Sequence, residues 1–461
     1  MLELDSVTAV TWLIVAVVQG ALVIVLCGRI RAIVPAMHAL MFVVFVPMLG
    51  ATNAILTGVP GCDVVGLISS SIGATLYVAL FLWMTSRFPR MFSMKSWLPA
   101  IRSSTGYWIV GSIAWWALVK AYLFTAYGVS AIRALGLLGP DAVPTTYAYW
   151  ETMLNAMATI LLQAAIFVWV LRLALRSDNV WVSSFVVLAL FAELLLGDVD
   201  AGARRTILAL ALAYFLARWW MFADDRGRLL KQTTVAIAAV AAFSIYYPFV
   251  RANIFKPDVL AQLASGSGKE TLSGAVALLT PDSESVQQGR TILRGGPMEF
   301  LCTLGEKQWE RKQLTWGSVT GAALYISVPS VILTNKITTE PDEVIAESYD
   351  LFPATEFLVL DLATSPLAQL QSDFGPAGWF IAPIVYAIAS LIFAYVFISK
   401  NFGMLTRLLA LGTLWSIAAS PEATLTTPVT GLRDFVLFSV FIEVVRRVYI
   451  ALRRSVVPQT A

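Results

Sequence analysis

The chain has little charge, a single histidine and few cysteines. Lys, Arg, Asp and Glu make up 13% of its 461 residues, while apolar side chains make up 58%. A soluble domain is about half apolar and about a quarter charged. So little charge, with a mean hydropathy of +0.76, excludes a water-soluble domain and predicts an integral membrane protein. Three cysteines, Cys27, Cys62 and Cys302, make neither a disulfide framework nor a zinc pattern. Cys62 and Cys302 fall in loops expected on one side of the membrane, where a bridge between them can form. There is no Walker loop, no G-x-G-x-x-G after a strand and no C-x-x-C, which argues against an ATPase or a redox enzyme. No cofactor, metal or nucleic-acid partner is expected. The first residues, "MLELDSV", are acidic and lack a basic flank, so the first apolar run reads as a retained span and not as a signal peptide.

What is present is a series of long apolar runs. A span needs about 20 mostly apolar residues, and eleven candidates emerge, with ten to fourteen as the admissible range: 8–27, 34–57, 64–86, 106–127, 148–171, 180–196, 204–222, 232–250, 375–398, 405–419 and 434–452. The loops between them alternate in charge. One set carries Arg29 and Arg31, then Arg87, Arg90, Lys95 and Arg102, then Arg172 and Arg176, Arg226, Arg228 and Lys231, Lys400 and Arg407, and finally Arg446, Arg447, Arg453 and Arg454. By the positive-inside rule this set is cytoplasmic, which puts the N-terminus outside and the C-terminus inside. The organisation expected is N-terminal spans over 1–252, a large helical extracytoplasmic loop over 253–373 and C-terminal spans over 374–461. A loop of that length more often carries function than merely connects. Within it, 284–294 and 298–313 have helical periodicity. The stretch 316–336, "WGSVTGAALYISVPSVILTNK", predicts a helix lying on the membrane or dipping into it.

Against this background a few basic residues stand on the acidic side. Arg204 and Arg205 open the 204–222 run, Arg251 follows 232–250, and Arg290, Arg294 and Lys336 lie in the large loop. Arg290 and Arg294 are one helical turn apart and share a face if that segment is helical. A guanidinium is always charged and its planar fork fits phosphate oxygens, so the set predicts an anion site, with pyrophosphate a natural occupant. The alternative is that each arginine snorkels or pairs locally; Asp198 and Asp200 are near enough in sequence to neutralise Arg204 and Arg205. As a D-x-D those two aspartates are a weak metal signal. Loop carboxylates such as Glu347 and Asp373 are candidates for a general base. His38 is placed deep in the second run, away from the loop, and is expected to pack in the bundle. Tyr325, Trp309 and Trp316 are candidates for stacking on sugar faces or for anchoring at the interface.

These segments resemble a family. "YISVPSVILTNKITTEPDEVIAESYDLFPATEF" followed by "SPLAQLQSDFGPAGWFIAPIVYAI" is similar to the C-terminal half of the Wzy-type oligosaccharide repeat-unit polymerases, which make O-antigen and exopolysaccharide. The matching positions are Pro329, Ser330 and Lys336, then Phe374, Gly375 and Gly378, with "AGARRTILAL" and Arg251 upstream; about 190–400 is covered. Many members carry a carboxylate five residues before the Phe-Gly, where this chain has Gln369, so a base would have to be Asp373 or Glu347. The resemblance implies an all-α polytopic membrane protein with a GT-C-like bundle in the bacterial inner membrane. It implies en bloc transfer of a glycan from undecaprenyl pyrophosphate to the terminal sugar of a second lipid-linked repeat unit on the periplasmic face, with a Wzz-like chain-length regulator as partner. Arg205, Arg290 and Arg294, with Asp373 or Glu347, would be catalytic; Arg204, Arg251, Lys336 and Tyr325 would bind the pyrophosphate-linked substrate. Alternatives are an O-antigen ligase, which typically has a histidine in the outer loop, a SEDS-type transferase, and a polysaccharide flippase.

Overall fold

A computed structural model of the chain describes residues 2–57, 63–104, 106–127, 148–175, 180–196, 202–222, 226–227, 229, 231, 297–328, 341–349, 351, 365–420 and 425–456. Among these residues every regular element is a helix, apart from one isolated bridge between Ala32 and Ser93. In chain order they are α1 (Leu2–Gly28), α2 (Ile33–Val43), a π-turn (Val44–Met48), α3 (Leu49–Thr57), α4 (Val64–Ser86), α5 (Pro89–Phe92), α6 (Met94–Ser103), α7 (Gly106–Tyr127), α8 (Tyr149–Ala174), α9 (Val180–Leu196) and α10 (Gly202–Met221). After these come α11 (Pro297–Arg311), α12 (Ser318–Ser327), α13 (Pro341–Tyr349), α14 (Pro366–Phe374), a 3₁₀ turn (Gly375–Ala377), α15 (Gly378–Ile398), α16 (Met404–Ala419) and α17 (Thr426–Val456).

Among the described residues, six helical segments are long and apolar enough to cross a membrane: Ser6–Gly28, Ile33–Thr52, Val64–Ser86, Gly106–Tyr127, Tyr149–Ala174 and Pro366–Ile398. Helix is what such runs must form, because hydrocarbon offers no partner for a backbone N–H or C=O. Thr206–Met221 and Met404–Ala419 are apolar but shorter. The expected run 232–250 lies outside the described residues, and each of the other ten coincides with a helix. Two boundaries differ. The last helix begins at Thr426 rather than 434, because a Thr-rich, Pro-containing first turn hides its start from a hydropathy window. The stretch 316–336 is described as far as Val328 and there holds the ten-residue α12, which ends at Ser327; at 1.5 Å per residue α12 is about 15 Å long, too short by itself to cross a bilayer.

Local chemistry sets several helix ends. Asp63 accepts from Gly66 N at 2.6 Å and caps α4. Ser365 accepts from Ala368 N at 3.2 Å and, with Pro366 in the first turn, starts α14. Pro47 has no N–H to give, and the helix widens into the π-turn around it. Val7, Ile14, Val17 and Val25 on α1, and Val440, Phe441 and Val444 on α17, are left exposed by the protein, as lipid-facing side chains are. His38 is buried as expected; its Nε2 lies 2.9 Å from the Tyr77 hydroxyl, and its ring packs against Phe81 and Tyr386.

Three arginines finish helices other than their own. Arg172 donates to Ser104 O at 2.7 Å beyond α6, Arg218 to Ala174 O at 3.3 Å at the end of α8, and Arg407 to Phe397 O at 2.7 Å at the end of α15. A cation on the terminal carbonyls opposes the negative end of the helix dipole, worth about 0.3–1 kcal/mol each and up to about 2 when partly buried. At Glu443 the ion pairs are local: Arg446 and Arg447, one turn on, reach it at 2.8 and 3.0 Å.

Close helix approach depends on glycine where α16 crosses α8. A Cβ on Gly412 would lie 2.1 Å from the Ile160 carbonyl oxygen, so only a hydrogen fits, the small-residue packing typical of membrane helices. Gly412→Ala is therefore expected to destabilise the protein by about 1–3 kcal/mol and lower its thermal midpoint in detergent. Gly111→Ala, which meets nothing within 4 Å on α7, serves as the neutral control. Equal midpoints for the two variants would show that α8 and α16 do not pack this closely.

Candidate functional site

The described parts of the segment between Pro297 and Phe374 pack against the bundle, and polar contacts hold them there. α11 lies against α4 so tightly that a Cβ on Gly66 would come within 2.5 Å of Cys302 O. Cys302 is disulfide-bonded and Cys27 is a buried free thiol; Cys62 lies outside the described residues. Gln308 donates to Gln371 O at 2.8 Å and to the Tyr349 hydroxyl at 3.2 Å. Tyr349 donates in turn to the Ser372 and Gln313 carbonyls, each at 3.1 Å. Gln371, fully buried, accepts from Trp379 Nε1 at 3.0 Å. This knot ties α11, α13, α14 and α15 to one another. Burial, with the charge of Asp373 adding to it, holds the Tyr349 phenol above its usual range, against the opposite pull of the Gln308 hydrogen bond. Tyr349 therefore stays a neutral donor.

α12 is held differently, by a charge at each end. Its N-cap is Gly317, whose φ of +89° and lack of a side chain leave it no capping oxygen. Trp316, before it, is also left-handed at φ +48°, a conformation a bulky side chain adopts only when its surroundings enforce it. The enforcing group is Asp373, at the end of α14. One oxygen accepts from Thr315 Oγ1 at 2.6 Å, Gly317 N at 2.9 Å and Val319 N at 3.2 Å; the other accepts from Thr320 N at 2.7 Å and Thr320 Oγ1 at 2.5 Å. The left-handed pair turns successive N–H groups towards one anion, the geometry of a backbone nest. At the far end, Arg433 of α17 donates to Ser327 O, the last residue of α12, at 2.8 Å. A carboxylate thus meets the positive end of the helix dipole and a guanidinium the negative end.

Arg433 also leads to a cavity. Its Nε donates to Asp434 Oδ1 at 2.7 Å, and Asp434 lines a cavity of about 260 Å³ between α8, α16 and α17.

The residues singled out in the sequence fall into three groups. Arg204 and Arg205 lie in the first turn of α10; their side chains are outside the described set. Arg251, Arg290, Arg294 and Lys336, with Asp198 and Asp200, also lie outside the described residues. The remaining three lie on α12 or on helices against it: Asp373 caps α12, Tyr325 is half-exposed near its other end, and Glu347 is exposed on α13, which packs against α12. Asp373 is fully buried and both its oxygens are engaged by protein donors, which makes it a positioning group. Gln369, where the resembling family has a carboxylate, is buried and accepts from Leu425 N at 2.6 Å, pinning the start of α17. Sequence reasoning passed over Arg433, Asp434, Gln308 and Tyr349. The adjacent Arg-Asp at the mouth of the last apolar run was the one available signal. Neither a family model, nor a curated protein, nor a solved structure matches the chain.

Removing the Asp373 carboxylate strands three backbone N–H groups, each costing about 1–3 kcal/mol if left unsatisfied. Asp373→Ala is expected to lower the thermal midpoint and speed amide exchange at Gly317–Thr320. Asp373→Asn, which keeps one acceptor oxygen, should do so less. Unchanged exchange in both variants would remove the capping role.

Proposed function

We propose that the chain is a glycan polymerase of the lipid-linked class. It would transfer a growing oligosaccharide en bloc from undecaprenyl pyrophosphate to the terminal sugar of a second lipid-linked repeat unit, on the extracytoplasmic face of the bacterial inner membrane. The observation that carries this reading is the placement of Arg204 and Arg205 in the first turn of α10. Cations at a helix N-terminus oppose the dipole and are disfavoured. Two there, together with the N–H groups that a helix start directs outwards, would make a site satisfied by an anion. A departing pyrophosphate is such an anion, and donors aimed at its developing charge speed its departure.

The rest of the reading is assembled around that turn. Arg218, near the other end of α10, is tied to the end of α8, so the Arg204–Arg205 turn is about 20 Å away along the helix axis at 1.5 Å per residue. With the positive-inside orientation and eleven spans, that turn faces outwards. A disulfide at Cys302 suits an oxidising compartment. Arg290 and Arg294 would add to the site as catalytic cations, and Arg251 and Lys336 would bind the pyrophosphate. Tyr325 would meet a sugar face. With Asp373 engaged as a cap, Glu347 is the loop carboxylate left to orient the acceptor hydroxyl. A GT-C-like arrangement and a Wzz-like partner belong to the same reading. A flippase would need charge free to act within the bundle. Three of the buried charges there are instead engaged: Glu151 accepts from Tyr122, Tyr127 and Ala148 N, and Arg218 and Arg407 finish helices.

The purified protein, given a lipid-linked oligosaccharide and neither ATP nor nucleotide sugar, is expected to produce a glycan ladder on a gel. Arg205→Ala and Arg290→Ala should each cut the rate by about 10²–10³ at near-normal expression, and more than Glu347→Gln does. Transport of the lipid-linked glycan across vesicles with no ladder would sink the polymerase, and full activity in both arginine variants would sink the arginine mechanism.

A further inference from the structure

The cavity between α8, α16 and α17 is lined by a set of polar groups that the fold itself does not use. Thr159 and Gln163 of α8, Ser416 of α16, and Thr427 and Asp434 of α17 all face it. Among the described residues, the side chains of Thr159, Gln163, Ser416 and Thr427 make no hydrogen bond, and the second carboxylate oxygen of Asp434 accepts none. All five side chains are part-exposed, so the space they line is open, and polar groups between membrane helices are best satisfied when something polar fills such a space. Water can do so, and so can a polar ligand.

The lining chemistry narrows what that is. Asp434 is neutralised by Arg433 at 2.7 Å, so the cavity carries no net charge to select a cation or an anion. The remaining groups are an amide and hydroxyls, each able to donate and accept. A ligand matching them has many groups that also do both, which is the character of a sugar ring. The space, of about 260 Å³ and open on one side, is large enough to admit a single pyranose ring.

We propose that this cavity is a binding site for one uncharged sugar ring, with Asp434 and Gln163 as its principal hydrogen-bond partners. The inference deepens the polymerase reading and rests on it for the role of the site, which would hold a sugar of a lipid-linked unit beside the transfer reaction.

Ser416→Cys in the otherwise full chain, purified into nanodiscs, tests the site by its reaction rate with methyl methanethiosulfonate, the unsubstituted chain serving as blank. The probes are the methyl glycosides of glucose, galactose, mannose, rhamnose and N-acetylglucosamine, against sodium chloride and sodium phosphate at matched concentration. At least one glycoside is expected to slow labelling saturably, and neither salt to do so. Adding Gln163→Met or Asp434→Asn should raise the concentration needed about tenfold or more, the cost of a lost hydrogen bond. Asp434→Asn leaves Arg433 without its ion-pair partner; if that variant does not fold, Gln163→Met alone decides. The proposal is overturned if Ser416→Cys does not react, if no glycoside protects it, if either salt protects equally, or if Gln163→Met leaves protection unchanged. A glycan ladder without protection would discard the cavity and keep the polymerase; protection without a ladder would do the reverse.

Discussion

The carboxylate of Asp373 fixes where α12 starts and how it is joined to α14 and α15. α12 starts at a glycine that cannot cap it, after a tryptophan in a left-handed conformation, so nothing local would start a helix at Ser318. Five donors gathered onto one buried anion make that start possible. Because Asp373 ends α14, which leads through a 3₁₀ turn into α15, the same interaction fixes the short helix to a spanning one. The contact is costly to bury and strong once formed. It tolerates few alternative arrangements of the loop.

The cationic partner at the other end of α12 extends this order across the bundle. Arg433 reaches Ser327 O and Asp434 at once, so the last helix is registered against α12 by the same guanidinium that balances a carboxylate at the cavity. Arg172, Arg218 and Arg407 apply the same principle elsewhere, each ending a neighbouring helix. Arginine suits this task because its fork can serve two acceptors and it stays charged when partly buried. Residues that a topology argument counts only as charges thus also set the lengths and contacts of the helices.

The helices were legible because the physics that makes them is local: an apolar run in hydrocarbon has helix as its only satisfied state, and among the described residues six helical segments are long and apolar enough to cross a membrane. Ten of the eleven runs coincide with helices. The start of α17 was not legible, since Thr426, Thr427 and Pro428 read as loop until Gln369 is seen holding Leu425. The burial of His38 was legible. The work of Asp373 was not, because its partners lie more than fifty residues away and no spacing rule joins them. Asp434 was missed for a related reason. Beside Arg433 it reads as a surface pair, and only the packing of three helices reveals that its free oxygen faces a cavity.

The two halves of the proposed chemistry meet at α8. This helix packs against α10, α16 and α17. Arg218 bonds to Ala174 O, and Arg204 lies fourteen residues before Arg218 as Ile160 lies fourteen before Ala174. With α8 and α10 running side by side at the same rise per residue, the first turn of α10 stands about level with Ile160. Ile160 lines the cavity together with Gln163. An anion held by the first turn of α10 and a sugar held at Asp434 would therefore sit at about the same depth along α8. A transferase needs donor and acceptor at one depth, because the acceptor hydroxyl must reach the same anomeric carbon that the pyrophosphate leaves.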